Sequence, residues 1–187
     1  FSIVAPFPKQ EDETVPWFRY GARILAGPSR FPILMVALGS SAFGGVMTYQ
    51  SSLTEGTDLM PGTFFLTYAI AVVAARWLLA ERINQVPSYL SVPFLLVVMV
   101  AGIATLYGLG CGLAAQIVAA VLFGFGYGLV YPLIQAQAVN DMTDERLHTA
   151  VLTWFMLFYF VGIFGFPVIG GWIIAEYGST TLITIIV

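Results

Sequence analysis

Long uncharged apolar stretches, separated by short polar turns, restrict this chain more than any other feature. A helix needs roughly 20 apolar residues to cross a bilayer core. Residues 31–52, 63–82, 89–109, 112–139 and 147–175 each supply such a stretch, and a sixth begins near Thr181. Together they use most of the 187 residues, leaving nothing polar enough to form a soluble domain. Hydrophobic residues make up 59% of the chain and charged residues 9%, against about 25% charged in ordinary soluble domains. A disordered chain, a disulfide scaffold and a typical soluble enzyme are therefore excluded. Backbone groups in hydrocarbon must be satisfied within the spanning segment, which selects helices here. The expected fold is an all-α polytopic membrane protein, a bundle of about five to six transmembrane helices. The nineteen Gly and ten Pro fit that reading, because membrane helices tolerate both.

Residues 1–30 read as the end of a preceding helix plus a linker, and residues 31–187 as a transmembrane bundle whose last helix is incomplete. The chain is accordingly expected to be a piece of a longer membrane protein. Within the linker, residues 15–30 read as an interfacial amphipathic helix. Trp17, Tyr20 and Ile24 share one face, and Arg19 and Arg23 another. Thr14 suits its start and Gly27-Pro28 its stop. With five crossings, Lys9, Arg19, Arg23, Arg30, Arg76, Arg82 and Arg146 all fall on one side. Glu55, Asp58 and Glu176 fall on the other. Basic residues favour the cytoplasm. The linker and the loops at 83–88 and 140–146 are therefore expected to be cytoplasmic, in a multi-pass protein of the cell (inner or plasma) membrane.

No Asp, Glu, Lys or His stands in the middle of a span, so this piece carries no evident proton relay. Arg76, somewhat inside the second span, is expected to snorkel to the cytoplasmic interface. Cys111 is alone, which removes an internal disulfide or a cysteine metal cluster. No metal or cofactor is expected, and the net charge of −3 gives no reason for nucleic acid. The chemistry left is uncharged and polar. Ser41 and Thr48 recur on one face of the first span, and Ser40/Gly44 and Ser41/Gly45 are small-xxx-small pairs that let helices approach closely. In the fourth span Tyr127, Tyr131 and Gln135 form a stripe at i, i+4, i+8, and Pro132 frees a carbonyl one turn earlier. Such a stripe should face a partner helix or a water-filled cavity rather than lipid. The glycines of GIFGFPVIGG thin the fifth span for packing or for a cavity. Asp141 or Thr143 can cap that span's start, and His148 reads as a surface residue.

These residues together resemble the major facilitator superfamily of transporters. The segment GFGYGLVYPLIQAQAVNDMTDERLHTA, followed by GIFGFPVIGG, is similar to that family's tenth helix, cytoplasmic loop and eleventh helix in order and spacing. The resemblance implies the C-terminal half of such a transporter, from the end of helix six to the start of helix twelve. Glu81-Arg82 resemble the D-R pair of the family's G-x-x-x-D-R-x-G-R loop, with Trp77, Asn84 and Gln85 departing from it. Phe166 stands where the antiporters' element places Gly before Pro167. The resemblance implies a secondary active transporter that moves a small solute by alternating access, with an efflux preference. It would work with an N-terminal half of the same transporter, through which any proton coupling would run. The first, second, fourth and fifth spans would border the cavity and the third would face lipid. Tyr127, Tyr131, Gln135, Ser41 and Thr48 are then cavity candidates, and Glu81, Arg82, Asp141 and Arg146 gating candidates. A non-transporting membrane subunit or receptor is the alternative. A membrane-embedded enzyme would need an acid, base or metal set that the spans lack.

Overall fold

The computed structural model describes residues 17–186, and over them the chain is helical with no strand. The helices are α1 (Gly21–Ala26), α2 (Arg30–Thr48), α3 (Gln50–Leu53), α4 (Pro61–Asn84), α5 (Ser88–Thr105), α6 (Leu113–Asn140), α7 (His148–Tyr177) and α8 (Ser179–Ile186). Five segments are long and apolar enough to cross a membrane: α2, α4, α6, α5 with its 3₁₀ extension Leu106–Cys111, and α7 with the turn before it. Pro61 opens α4 at a position where its missing N–H costs nothing. Gly112, at φ 95°, turns the chain between α5 and α6, and Gly178, at φ 82°, turns it between α7 and α8.

Three local details depart from the sequence expectations. The helix in the linker covers only Gly21–Ala26, ending at Gly27; residues 17–20 form a turn, and Thr14 and Lys9 lie outside the described residues. The first span breaks at Tyr49, which leaves helical geometry (φ −103°, ψ 14°). Its hydroxyl donates to the Pro167 carbonyl of α7, and its ring packs over Gly170 and Gly171. Capping before α7 falls to Asp144, whose Oδ1 accepts from the Arg146 N–H at 3.3 Å. Asp141 is still engaged in ending α6, its N–H donating to the Gln137 carbonyl.

Glycines set the helix crossings. A Cβ on Gly126 would stand 2.7 Å from both the Leu95 carbonyl oxygen and the Met99 nitrogen of α5. One on Gly102 would stand 2.5 Å from the Phe123 nitrogen of α6, so α5 and α6 meet backbone to backbone. Gly124 rests on Tyr68 and Ala71, and Gly128 on Val72, which seats α4 against α6. Gly44 meets the Ile163 backbone and Gly162 meets Ser40 and Ala37, joining α2 to α7. Helix α5 buries Val92, Leu95, Met99 and Ile103 and turns Leu90, Phe94 and Val97 outward.

The core divides into two layers. One gathers Ile24, Ile33, Val92, Leu133, Leu147 and Val151; the other gathers Val46, Phe64, Ile103, Leu106, Ala119 and Ile183. Arg23, Arg30, Arg82 and Arg146 belong to the end of the first layer, and Glu55, Asp58 and Glu176 to the end of the second. At the basic end, the Trp154 indole N–H of α7 donates to the Trp17 carbonyl at 3.0 Å, and the two rings meet edge to face at 5.7 Å. Arg23 pairs with Asp144 at 3.7 Å. Both ionic partners are well exposed, so little stability is assigned to that pair. His148 closes the α6–α7 loop through Nε2, 3.0 Å from the Met142 carbonyl oxygen.

Candidate functional site, an aromatic wall across four helices

Spaced four apart on α6, Phe123, Tyr127 and Tyr131 stack their rings along one face. Their centroids follow at 6.0 and 6.4 Å. Phe43 of α2 lies parallel to Tyr127 at 4.5 Å. Tyr68 of α4 packs on Phe43 at 6.0 Å and on Phe123 at 5.7 Å. Phe155 and Tyr159 of α7 meet Tyr131 edge-on at 5.7 and 5.2 Å. Seven rings from α2, α4, α6 and α7 thus form one wall, with α5 behind α6. Offset and edge-to-face rings each add roughly 0.5–1.5 kcal/mol beyond their buried area, so the wall is a rigid surface.

The polar groups of the stripe differ in access. The Tyr127 hydroxyl is enclosed and has no hydrogen-bond partner. Leaving such a group unpaired costs about 1–3 kcal/mol. The Tyr131 hydroxyl reaches only the Met156 sulfur, at 3.3 Å, a weak acceptor. Tyr131 and Gln135 are half-buried and remain reachable. The structure does not bring Ser41 and Thr48 to this wall. They lie about 160° and 140° around α2 from Phe43; the Ser41 hydroxyl donates to its own helix at the Ala37 carbonyl, 2.7 Å away, and Thr48 is exposed.

Among the gating candidates, Glu81, Arg82 and Arg146 are exposed and Asp141 is half-buried. Arg23–Asp144 is the one ion pair among the described residues, so none of the four is paired there. Arg82 rims an apolar groove of about 450 Å³ between the end of α4 and the start of α5, floored by Leu79, Ile83, Phe94 and Phe125. Arg76 does not extend toward the interface. Its Nε donates to the Gly128 carbonyl of α6 at 3.0 Å. That carbonyl is the one Pro132 leaves without an intrahelical donor, since residue 132 has no N–H to offer the residue four before it.

Sequence reasoning missed Phe43 and Tyr68 as wall members and Arg76 as an interhelical donor. The Pro132-to-Gly128 spacing was the signal for the last of these: a freed carbonyl inside a span needs a donor from elsewhere. Among the described residues no three His, Cys, Asp or Glu side chains gather as metal ligands.

An all-helical bundle with five membrane-length segments is a polytopic membrane protein. Over 123 residues the chain is 33% identical to the multidrug export protein EmrB of Haemophilus influenzae, a stretch covering 66% of this chain and 23% of that protein. The likeness is thus to an export protein rather than an enzyme, and it spans less than a quarter of the relative. No family model matches the chain. No solved structure matches it.

Proposed function

We propose that the chain is the C-terminal half of a major-facilitator exporter, working with an N-terminal half to move a small amphipathic solute by alternating access. The observation that carries this reading is the likeness to an export protein over two-thirds of the chain. The aromatic wall supports it, being contributed by the four helices that the resemblance assigns to the cavity. Solute rings would lie on Tyr131 and Tyr159, and the Tyr131 hydroxyl and Gln135 amide would hydrogen-bond its polar end. Glu81, Arg82, Asp141 and Arg146 would sit at the cytoplasmic gate of a plasma-membrane protein, with proton coupling through the N-terminal half. The complete protein in inverted vesicles should accumulate a fluorescent amphipathic dye when energised. Dye binding without flux would instead favour a receptor or a non-transporting subunit.

Two further outcomes follow from this reading. Tyr131→Phe should weaken solute affinity roughly two- to tenfold, the worth of one hydrogen bond. It should leave the melting temperature nearly unchanged, because only a sulfur contact is lost. Titration and thermal unfolding on the same purified variant measure both, and a melting shift with unaltered affinity would remove Tyr131 from the site. For orientation, single cysteines at Glu55 and Glu176, in a background with Cys111 replaced, should react with an impermeant reagent outside intact cells. Cysteines at Gln85 and Thr143 should stay unlabelled, and the reverse pattern would invert the proposed topology.

A further inference from the structure

We propose that Arg76 is an anion-binding position at the edge of the aromatic wall, where its guanidinium receives the carboxylate of an amphipathic aromatic solute. This inference rests on the transport reading above and adds a substrate class to it.

Arg76 lies inside the apolar segment Pro61–Leu79 of α4, three residues and about 4.5 Å along the axis from its Leu79 end. Charged residues inside a span usually face a bundle interior or a water-filled cavity, or reach to the interface, and the Arg76 side chain is held on α6 instead of reaching out. The side chain is anchored at one point, Nε on the Gly128 carbonyl at 3.0 Å. That bond uses one of the five guanidinium donors and fixes the plane of the group, leaving both terminal nitrogens as a fork suited to a carboxylate. No carboxylate among the described residues pairs with it.

The direction of Arg76 separates a solute from a lipid headgroup. The outward stripe of α4 is Leu66, Ile70, Val73 and Trp77, all more than half exposed. Arg76, itself exposed, lies about 100° around the helix from Trp77 and about 40° from Val72, the residue that meets Gly128 of α6. Tyr68, about 80° around the helix from Arg76, joins the wall by packing on Phe43 and Phe123. Gly128, the anchor, is three residues from Tyr131. A solute whose ring rests on Tyr131 thus has a cation within one helical turn.

The test uses the complete purified transporter in nanodiscs and three probes of one shape: 2-naphthoate, 2-naphthamide and 2-naphthylmethylammonium. The wild type should bind the carboxylate at least about tenfold tighter than the amide, as a charge-assisted hydrogen bond implies. Arg76→Gln should bring that ratio close to one while leaving the amide's affinity within about twofold, and Arg76→Lys should keep most of the preference. Pro132→Ala returns an intrahelical donor to Gly128 and should retain the preference, separating the charge from the helix contact. The proposal is overturned if the wild type binds amide and carboxylate alike, or if Arg76→Gln keeps the ratio. It is equally overturned if that variant loses affinity for all three probes together with thermal stability. A melting shift with an unchanged ratio would give Arg76 to a carboxylate of the protein itself. Dye export that persists in any of these cases leaves the transport reading intact, whereas absence of export by the wild type counts against that reading alone.

Discussion

Gly126→Leu is expected to yield almost no folded protein. Its Cβ alone would press to 2.7 Å on the Leu95 carbonyl oxygen and the Met99 nitrogen, and neither backbone atom can rotate away as a side chain would. Ordinary overpacking costs about 1–3 kcal/mol; here α5 must leave α6, so the cost exceeds that range. Gly128→Leu meets the Val72 side chain at 3.1 Å and backbone no nearer than 3.4 Å, so it should be milder. Gly165→Ala, with nothing within 4 Å, and Val97→Leu, on the outward face of α5, should express like the wild type. Monodisperse recovery in detergent ranks the four, and equal recovery of Gly126→Leu and Val97→Leu would refute the α5–α6 crossing.

Phe123→Ala should produce the largest combined loss of stability and solute affinity. The ring is 1% exposed and touches Phe43, Phe64, Tyr68 and Tyr127. Truncating a buried Phe to Ala costs roughly 3–5 kcal/mol in soluble cores, partly as the cavity left behind. The cavity part does not depend on water and carries over to a bilayer. Removing this ring also undercuts Tyr127 and Tyr68, so affinity should fall even though Phe123 itself is too buried to touch a solute. Thermal unfolding and dye titration on one preparation read both effects. A melting change with dye affinity intact would detach the wall from binding.

Much of the fold is legible because spanning helices announce themselves by length. The five long segments begin and end within a few residues of the apolar stretches, and Gly112 and Gly178 turn the chain where the polar breaks are. The wall is only half legible. Tyr127 and Tyr131 stand out at i, i+4 beside glycine on a helix with little other polarity. Phe43 and Tyr68 are rings in largely apolar spans, where periodicity says little about which face looks inward. Ser41 and Thr48 drew notice by polarity alone, yet a hydroxyl in a span can be satisfied by its own helix, as the Ser41–Ala37 bond shows. The break at Tyr49 coincides with a contact more than a hundred residues away, at Pro167, which no local pattern could display.

The small residues and the rings divide the bundle into two kinds of joint. Where Gly44 and Gly162 interlock α2 with α7, and where Gly102, Gly124 and Gly126 interlock α4, α5 and α6, backbones mesh like cogs and any sliding brings hard atoms together. Between these two groups lie rings instead, with Phe43 parallel to Tyr127 within 10° and Tyr159 edge-on to Tyr131. The pair α2/α7 and the trio α4/α5/α6 are therefore each locked by backbone contact, and it is a layer of aromatic side chains that joins one group to the other.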